Sequence, residues 1–327
     1  MGMKGLHKVI VQNNRLHYEF EIKRNITIIQ GNSATGKTTL INMLRQAENL
    51  GESSGIDISC DVPCRVLEGR NWKVILENIS ESIIFIDEEN TFINTEEFAS
   101  AIQGTDNYYV LITRENLYNL PYSVEEIYGL YSSGKYQNTR KIYQQMYRIY
   151  SGENFMPVEP EKLIVEDSNS GYDFFENVSK ENQMECESAH GKTKIFGMLQ
   201  KDDERQICVI ADGAAIGAEM NRLYKQCQKK KNIHLYLPES FEWLILNSGI
   251  LKEKLIREIL KEPENYIDSK DFFSWERYFT RLLTERTENT YWKYKKSRLN
   301  EVYLHEKNKN LILESIQGIK FGDSKGE

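Results

Sequence analysis

A chain of 327 residues, of which 40% are hydrophobic, carries enough apolar material for two domains. Its formal net charge of −7 excludes a polycation that coats nucleic acid or anionic membrane along its length, so any nucleic-acid site is a local patch. The opening MGMKGLHKVIVQ lacks the apolar core and cleavage site of a secretory signal, and no apolar run approaches the ~20 residues of a membrane span, so a cytoplasmic protein without a membrane partner is expected.

Taken in chain order, residues 8–12 and 16–22 alternate apolar and polar like a hairpin, and 25–30 (NITIIQ) form a short β-branched run that ends at a glycine. A helical pattern covers 37–50. There follow a strand at 56–60, a helix near 72–79, the apolar strand 83–86, a helix over 91–102 and the apolar strand 108–113. Strands that alternate with helices predict a parallel sheet covered on both faces. The tyrosine-rich stretch 135–150 reads as helical, and SGENFMPVEPEK after it has no periodicity, which sets the expected boundary between a domain at 1–152 and another at 160–327. Beyond it come strands at 163–165, 207–211 and 233–237, helices near 172–179, 192–200 and 215–229, and a mainly helical, aromatic tail. No internal repeat or low-complexity tract marks a solenoid.

Gly31-Asn32-Ser33-Ala34-Thr35-Gly36-Lys37-Thr38 fits G-x-x-x-x-G-K-[ST] and lies between a β-branched strand and a helix. The glycines let backbone N–H groups turn inward, and the helix start adds its positive end, so phosphates meet donors already in place. Lys37 is the expected partner of the β- and γ-phosphates, Thr38 gives a hydroxyl to Mg²⁺, and Thr39 completes the nucleotide-binding set. Ser82–Glu88 is an apolar strand that ends in paired acids. Asp87 is a candidate for holding Mg²⁺, and Glu88 for orienting or deprotonating the attacking water. Thr113 and Arg114, at the end of the next strand, offer a polar contact to the γ-phosphate or its water. ATP is preferred over GTP because Asn308-Lys309-Asn310 lacks the acid of a guanine-reading N-K-x-D element.

The N-terminal hairpin, the phosphate loop and the Walker-B-like Asp87-Glu88 resemble the ABC-type ATPase heads of the recombination and overcoming-lysogenization-defect families over roughly the first 115 residues. No L-S-G-G-Q signature lies between the phosphate loop and Asp87, and Ser132-Ser133-Gly134-Lys135 comes too late to replace it. In the second half, strands deliver Glu166 and Asp212 at their C-terminal ends, where a parallel α/β sheet opens its crevice. Glu239 and Glu242 follow at a third strand end, and Gly191, Lys192 and Lys194 open a helix between Glu166 and Asp212. This order resembles the Toprim domain of topoisomerases, primases and overcoming-lysogenization-defect nucleases, whose acids bind Mg²⁺ for phosphodiester chemistry. The resemblance implies catalytic and metal-binding roles for Glu166 and Asp212, with Glu239 or Glu242 as a later ligand. Ala214 stands where the second Asp of D-x-D is expected, and Asp167 follows Glu166 in place of glycine. A two-metal mechanism, with ions ~4 Å apart, needs the missing carboxylate.

The expectation is therefore an α/β protein: a P-loop NTPase sheet, a second Toprim-like α/β domain and a helical C-terminal extension, with ATP and Mg²⁺ as cofactors. ATP state would control either a Mg²⁺-dependent nucleic-acid-processing domain or a degenerate Toprim-like module that binds without cutting. A small-molecule kinase is a third alternative, although no arginine-rich lid follows the phosphate loop. Tyr291-Trp292-Lys293-Tyr294-Lys295-Lys296-Ser297-Arg298 interleaves aromatics with bases in a manner suited to DNA or RNA, or else to a solvated face with its aromatics packed. A second copy or a partner subunit is a further candidate partner. The five cysteines are odd in number and scattered, which suits small core residues; Cys60 and Cys64 alone resemble half a metal site, but no second pair or His pair follows at ligand spacing, so metal ligation by cysteine is not expected.

Overall fold

The computed structural model describes residues 2–31, 36–133, 141–150, 157–201 and 203–322. The protein is mixed α/β and divides into two compact units, one of Met1–Ser151 with Glu262–Ser274, the other of Gly152–Lys261 with Trp275–Glu327. No described helix is long and apolar enough to cross a membrane.

The first unit contains β1 (His7–Gln12), β2 (Leu16–Ile22), β3 (Ile26–Ile29), α1 (Lys37–Leu50), β4 (Asp57–Ser59), β5 (Cys64–Val66), α2 (Trp72–Leu76), β6 (Ile83–Ile86), α3 (Glu96–Ile102), β7 (Tyr108–Ile112), β8 (Ile127–Ser133) and β9 (Ile142–Arg148). One nine-stranded sheet runs β4-β1-β2-β9-β8-β3-β7-β6-β5. Strands β8, β3, β7, β6 and β5 are mutually parallel. β1 pairs antiparallel with β2, the hairpin expected from their alternation, and also with β4, and β8 pairs antiparallel with β9, so the sheet is mixed rather than parallel throughout. Every residue of β3, β6 and β7 is buried, as strands covered on both faces must be. Apolar side chains of α1, among them Leu40, Ile41 and Leu44, join those of β1, β2, β6 and β7 in one core. Both edge strands, β4 and β5, contact α1.

Residues 142–148 correct the sequence reading, for the expected helix is the strand β9. Its apolar side chains at 142, 143, 146 and 147 suit a helical face, but an unexpected neighbour, β8, pairs with it from Tyr128↔Arg148 to Ser133↔Tyr143, and tertiary pairing overrides local pattern. Residues 135–140 of that helix, and 151–156 of the expected boundary, lie outside the described residues. The segment 262–274, far away in sequence, belongs to the first unit. There Asn25 Nδ2 donates to Ser269 O at 2.7 Å and Gly5 N to Glu264 O at 2.7 Å.

The second unit contains β10 (Lys162–Val165), α4 (Ser170–Glu181), β11 (Glu185–Ser188), α5 (Lys192–Leu199), β12 (Ile207–Ile210), α6 (Met220–Lys229), β13 (Ile233–Tyr236), α7 (Phe241–Asn247), α8 (Lys254–Lys261), α9 (Trp275–Thr287) and α10 (Glu306–Glu314). Its sheet, β11-β10-β12-β13, is wholly parallel. The chain leaves β10 for β11 on one side and goes on to β12 on the other, so the strand order switches between β10 and β12. A crevice forms at such a switch, beyond the carboxyl ends of the two strands.

Candidate functional site

At the carboxyl ends of the first unit's parallel strands, the sequence-predicted residues come together. Gly36, immediately before α1, has φ of 90°, a left-handed conformation that favours glycine. Tyr18 of β2 donates from Oη to Gly36 O at 2.8 Å, and a Cβ at position 36 would lie 2.9 Å from that hydroxyl. Lys37 opens α1 with its side chain only 5% exposed, and its Nζ donates to Gly31 O at 2.5 Å. Burial pushes the Lys37 ammonium below its ordinary pKa, against the opposing pull of Glu88 and Asp87. Thr38 and Thr39 are exposed on the first turn. Asn32, Ser33, Ala34 and Thr35 lie outside the described residues.

Asp87 follows β6 and is 4% exposed; its Oδ1 accepts from Glu88 N at 2.8 Å. Burial raises its pKa, with Glu89 and Glu88 adding to the rise and Arg45 opposing it. Glu88 is half-buried and pairs with Arg114 at 2.8 Å. Thr113, just beyond β7 and 2% exposed, accepts from Glu115 N through Oγ1 at 2.9 Å. Because β7 lies between β3 and β6, Thr113 ends the strand between the one leading to the glycine-rich segment and the one carrying Asp87. A buried cation at a helix start, a buried acid and exposed hydroxyls on one turn fit a triphosphate with Mg²⁺. That ion keeps most of its waters and takes one or two carboxylates from a protein. Tyr18 and Gln144 escaped sequence reasoning. They are register partners on β2 and β9, and Gln144, 8% exposed, lies beneath Gly36.

In the second unit Glu166 and Asp212 stand at the switch between β10 and β12. Asp212 N donates to Glu166 Oε2 at 2.9 Å, and Glu166 N to Ile210 O at 2.9 Å. Gly213 holds this loop against the end of β13, donating to Pro238 O at 2.6 Å where a Cβ would lie 2.4 Å from Leu237 O. A cavity of about 20 Å³, room for one water, is lined by both acids with Asp167, Phe175 and Phe241. Asp167 serves the start of α4, accepting from Tyr172 N at 2.8 Å.

Glu239 contributes its backbone, whose carbonyl accepts from Ala214 N at 3.3 Å. The charges that act most strongly on Asp212 belong to Glu276, Glu166 and Glu242, with Lys296 opposing them. Burial drives the Asp212 carboxyl well above its ordinary pKa and these acids push it further; Glu166 is raised chiefly by burial too, with Lys192 opposing. Glu242, 1% exposed, accepts from Tyr294 Oη at 2.8 Å. Lys296 Nζ bonds Glu276 and lies 3.9 Å from Glu242 Oε1. Lys192 Nζ donates to Ala215 O at 2.6 Å. Glu276 on α9 was missed, since no motif marks it. The aromatics of 291–298 are partly packed, with Tyr294 buried and Trp292 beside Tyr303, while Tyr291 is exposed.

Among the described residues no three His, Cys, Asp or Glu side chains are grouped to hold a metal ion. The crevice acids fit a lysine counter-ion better than Mg²⁺, because Lys296 supplies the positive charge. No protein-family model matches the chain, and no curated protein matches it.

Proposed function

We propose that this protein is a nucleotide switch: an ATP-binding and ATP-hydrolysing P-loop unit joined to a Toprim-like α/β unit that binds a partner without cutting nucleic acid. The observation that carries the first half is the convergence of Lys37, Asp87, Glu88 and Thr113 at the ends of neighbouring strands, beside the Gly36 turn. In this reading the start of α1 and Lys37 hold the phosphates, Thr38 and Asp87 hold Mg²⁺ directly or through water, and Glu88 orients the attacking water. Arg114, paired with Glu88, moves to the developing charge when nucleotide arrives. The second half rests on Lys296, whose ammonium sits among acids that a nuclease would spend on metal.

The test is calorimetric titration with ATP and Mg²⁺, followed by turnover and by incubation with DNA and RNA in Mg²⁺ or Mn²⁺. Binding and slow hydrolysis without strand cleavage are expected. Absence of nucleotide affinity overturns the reading. Metal-dependent cleavage favours the alternative, a nuclease, for which the hydrogen-bonded approach of Asp212 to Glu166 is the supporting observation.

A further inference from the structure

One cluster of nucleophilic side chains takes no part in either candidate site. β4 and β5 are the two edges of the first unit's sheet, and residues 60–63 join them directly. Cys60 follows the end of β4 and Cys64 opens β5; both are half-buried, and both pack against the core that contains α1. Only residues 61–63 separate the two cysteines, and their side chains lie close enough for each to act on the ionisation of the other. Cys60 Sγ also lies 3.6 Å from Asp61 Oδ1, and His7 Nδ1 of β1 holds Asp61 at 2.9 Å, which ties the linking segment to the sheet. Two polarisable, half-buried thiols flanking one short connection at a solvent-reachable seam are poorly explained as core filling, which a valine does as well.

We propose that Cys60 and Cys64 are a reversible dithiol, a modification site for low-molecular-weight disulfides that closes the seam between the two sheet edges. The reaction is thiol–disulfide exchange. Cys60 loses its proton to water and attacks one sulfur of the disulfide R–S–S–R; the S–S bond breaks and RS⁻ leaves. That RS⁻ takes the proton of Cys64. The Cys64 thiolate then attacks the Cys60 sulfur of the mixed disulfide, and the second RS⁻ leaves and takes up the proton first released. Two protein thiols are oxidised and one disulfide is reduced to two thiols. This proximity assigns the order, since Cys64 lowers the pKa of Cys60, while Cys60 and burial raise that of Cys64. The remaining cysteines, Cys186, Cys208 and Cys227, are pushed up by burial.

This inference is independent of the nucleotide reading. Its test is incubation of the full chain with glutathione disulfide, alkylation of the remaining thiols, and mass mapping of the peptide that spans both cysteines. The peptide is expected to lose two hydrogens, to regain them with dithiothreitol, and to close at least about tenfold faster than in the urea-unfolded chain. Cys64→Ser should stop at a stable glutathione adduct on Cys60, and Cys60→Ser should slow reaction at Cys64. Closure no faster than in the unfolded chain overturns the proposal. So does accumulation of an unresolved adduct in the parent, or alkylation of both thiols with no closure.

Discussion

The backbone N–H of Asp212 donates to Oε2 of Glu166 at 2.9 Å, linking the loops that follow two neighbouring parallel strands. One acceptor position of Glu166 is therefore occupied by the protein itself, and the Glu166 carboxylate lies close enough to disfavour ionisation of Asp212, while the Asp212 N–H favours that of Glu166. Both have pKa values above the ordinary carboxylate range, chiefly through burial.

Asp212→Asn should stabilise the protein at neutral pH. The raised pKa means that the folded state holds more protons than the unfolded chain between about pH 4 and the raised values, so stability falls as pH rises through that window. The asparagine removes the cost of ionising a half-buried acid. A gain of about 1 kcal/mol, seen as ~2 °C or more in Tm at pH 7.5, should shrink toward zero near pH 4. Thermal melts of parent and variant across this range check it.

Lys296→Met should destabilise the second unit by about 2 kcal/mol, less than the loss at a fully buried pair because the ammonium is partly exposed. The variant leaves Glu242 and Glu276 without their cation. Without nucleotide present, Mg²⁺ should raise the Tm of the variant more than that of the parent. Equal shifts in the two would show that Lys296 is not standing in for a metal.

Glu88→Gln should keep ATP bound while slowing steady-state hydrolysis by roughly 10²–10⁴, because the amide preserves shape and loses the basic lone pair. Calorimetry gives the affinity and phosphate release gives the rate. Arg114, which bonds Glu88 at 2.8 Å, is freed in the variant, so a large change in affinity would assign the pair to binding rather than to hydrolysis.

Gly36→Ala should cost about 1–2 kcal/mol from the left-handed backbone alone. It adds a Cβ 2.9 Å from Tyr18 Oη. Combining it with Tyr18→Phe should recover the steric part and leave the backbone part, a split that urea unfolding of the single and double variants measures.

Much of this protein is legible in its sequence because the signals are local. The buried strands β3, β6 and β7 are short apolar runs, and Thr95 caps α3 by accepting from Phe98 N at 3.1 Å, a side-chain-to-backbone contact settled within one turn. The glycine-rich segment, Asp87, Glu166 and Asp212 were readable as strand-end residues for the same reason. What required the tertiary structure is every relation between distant segments. The aromatic stretch 142–148 becomes β9 because β8 offers hydrogen-bonding edges, and Gln144 comes to lie beneath Gly36 only through that pairing. Glu276 and Lys296 reach the crevice from α9 and from the loop after it, more than sixty residues beyond Asp212. Residues 262–274 return to the first unit. A carboxylate's partner is set by packing in three dimensions, and charge acts through space with no period in the chain to announce it.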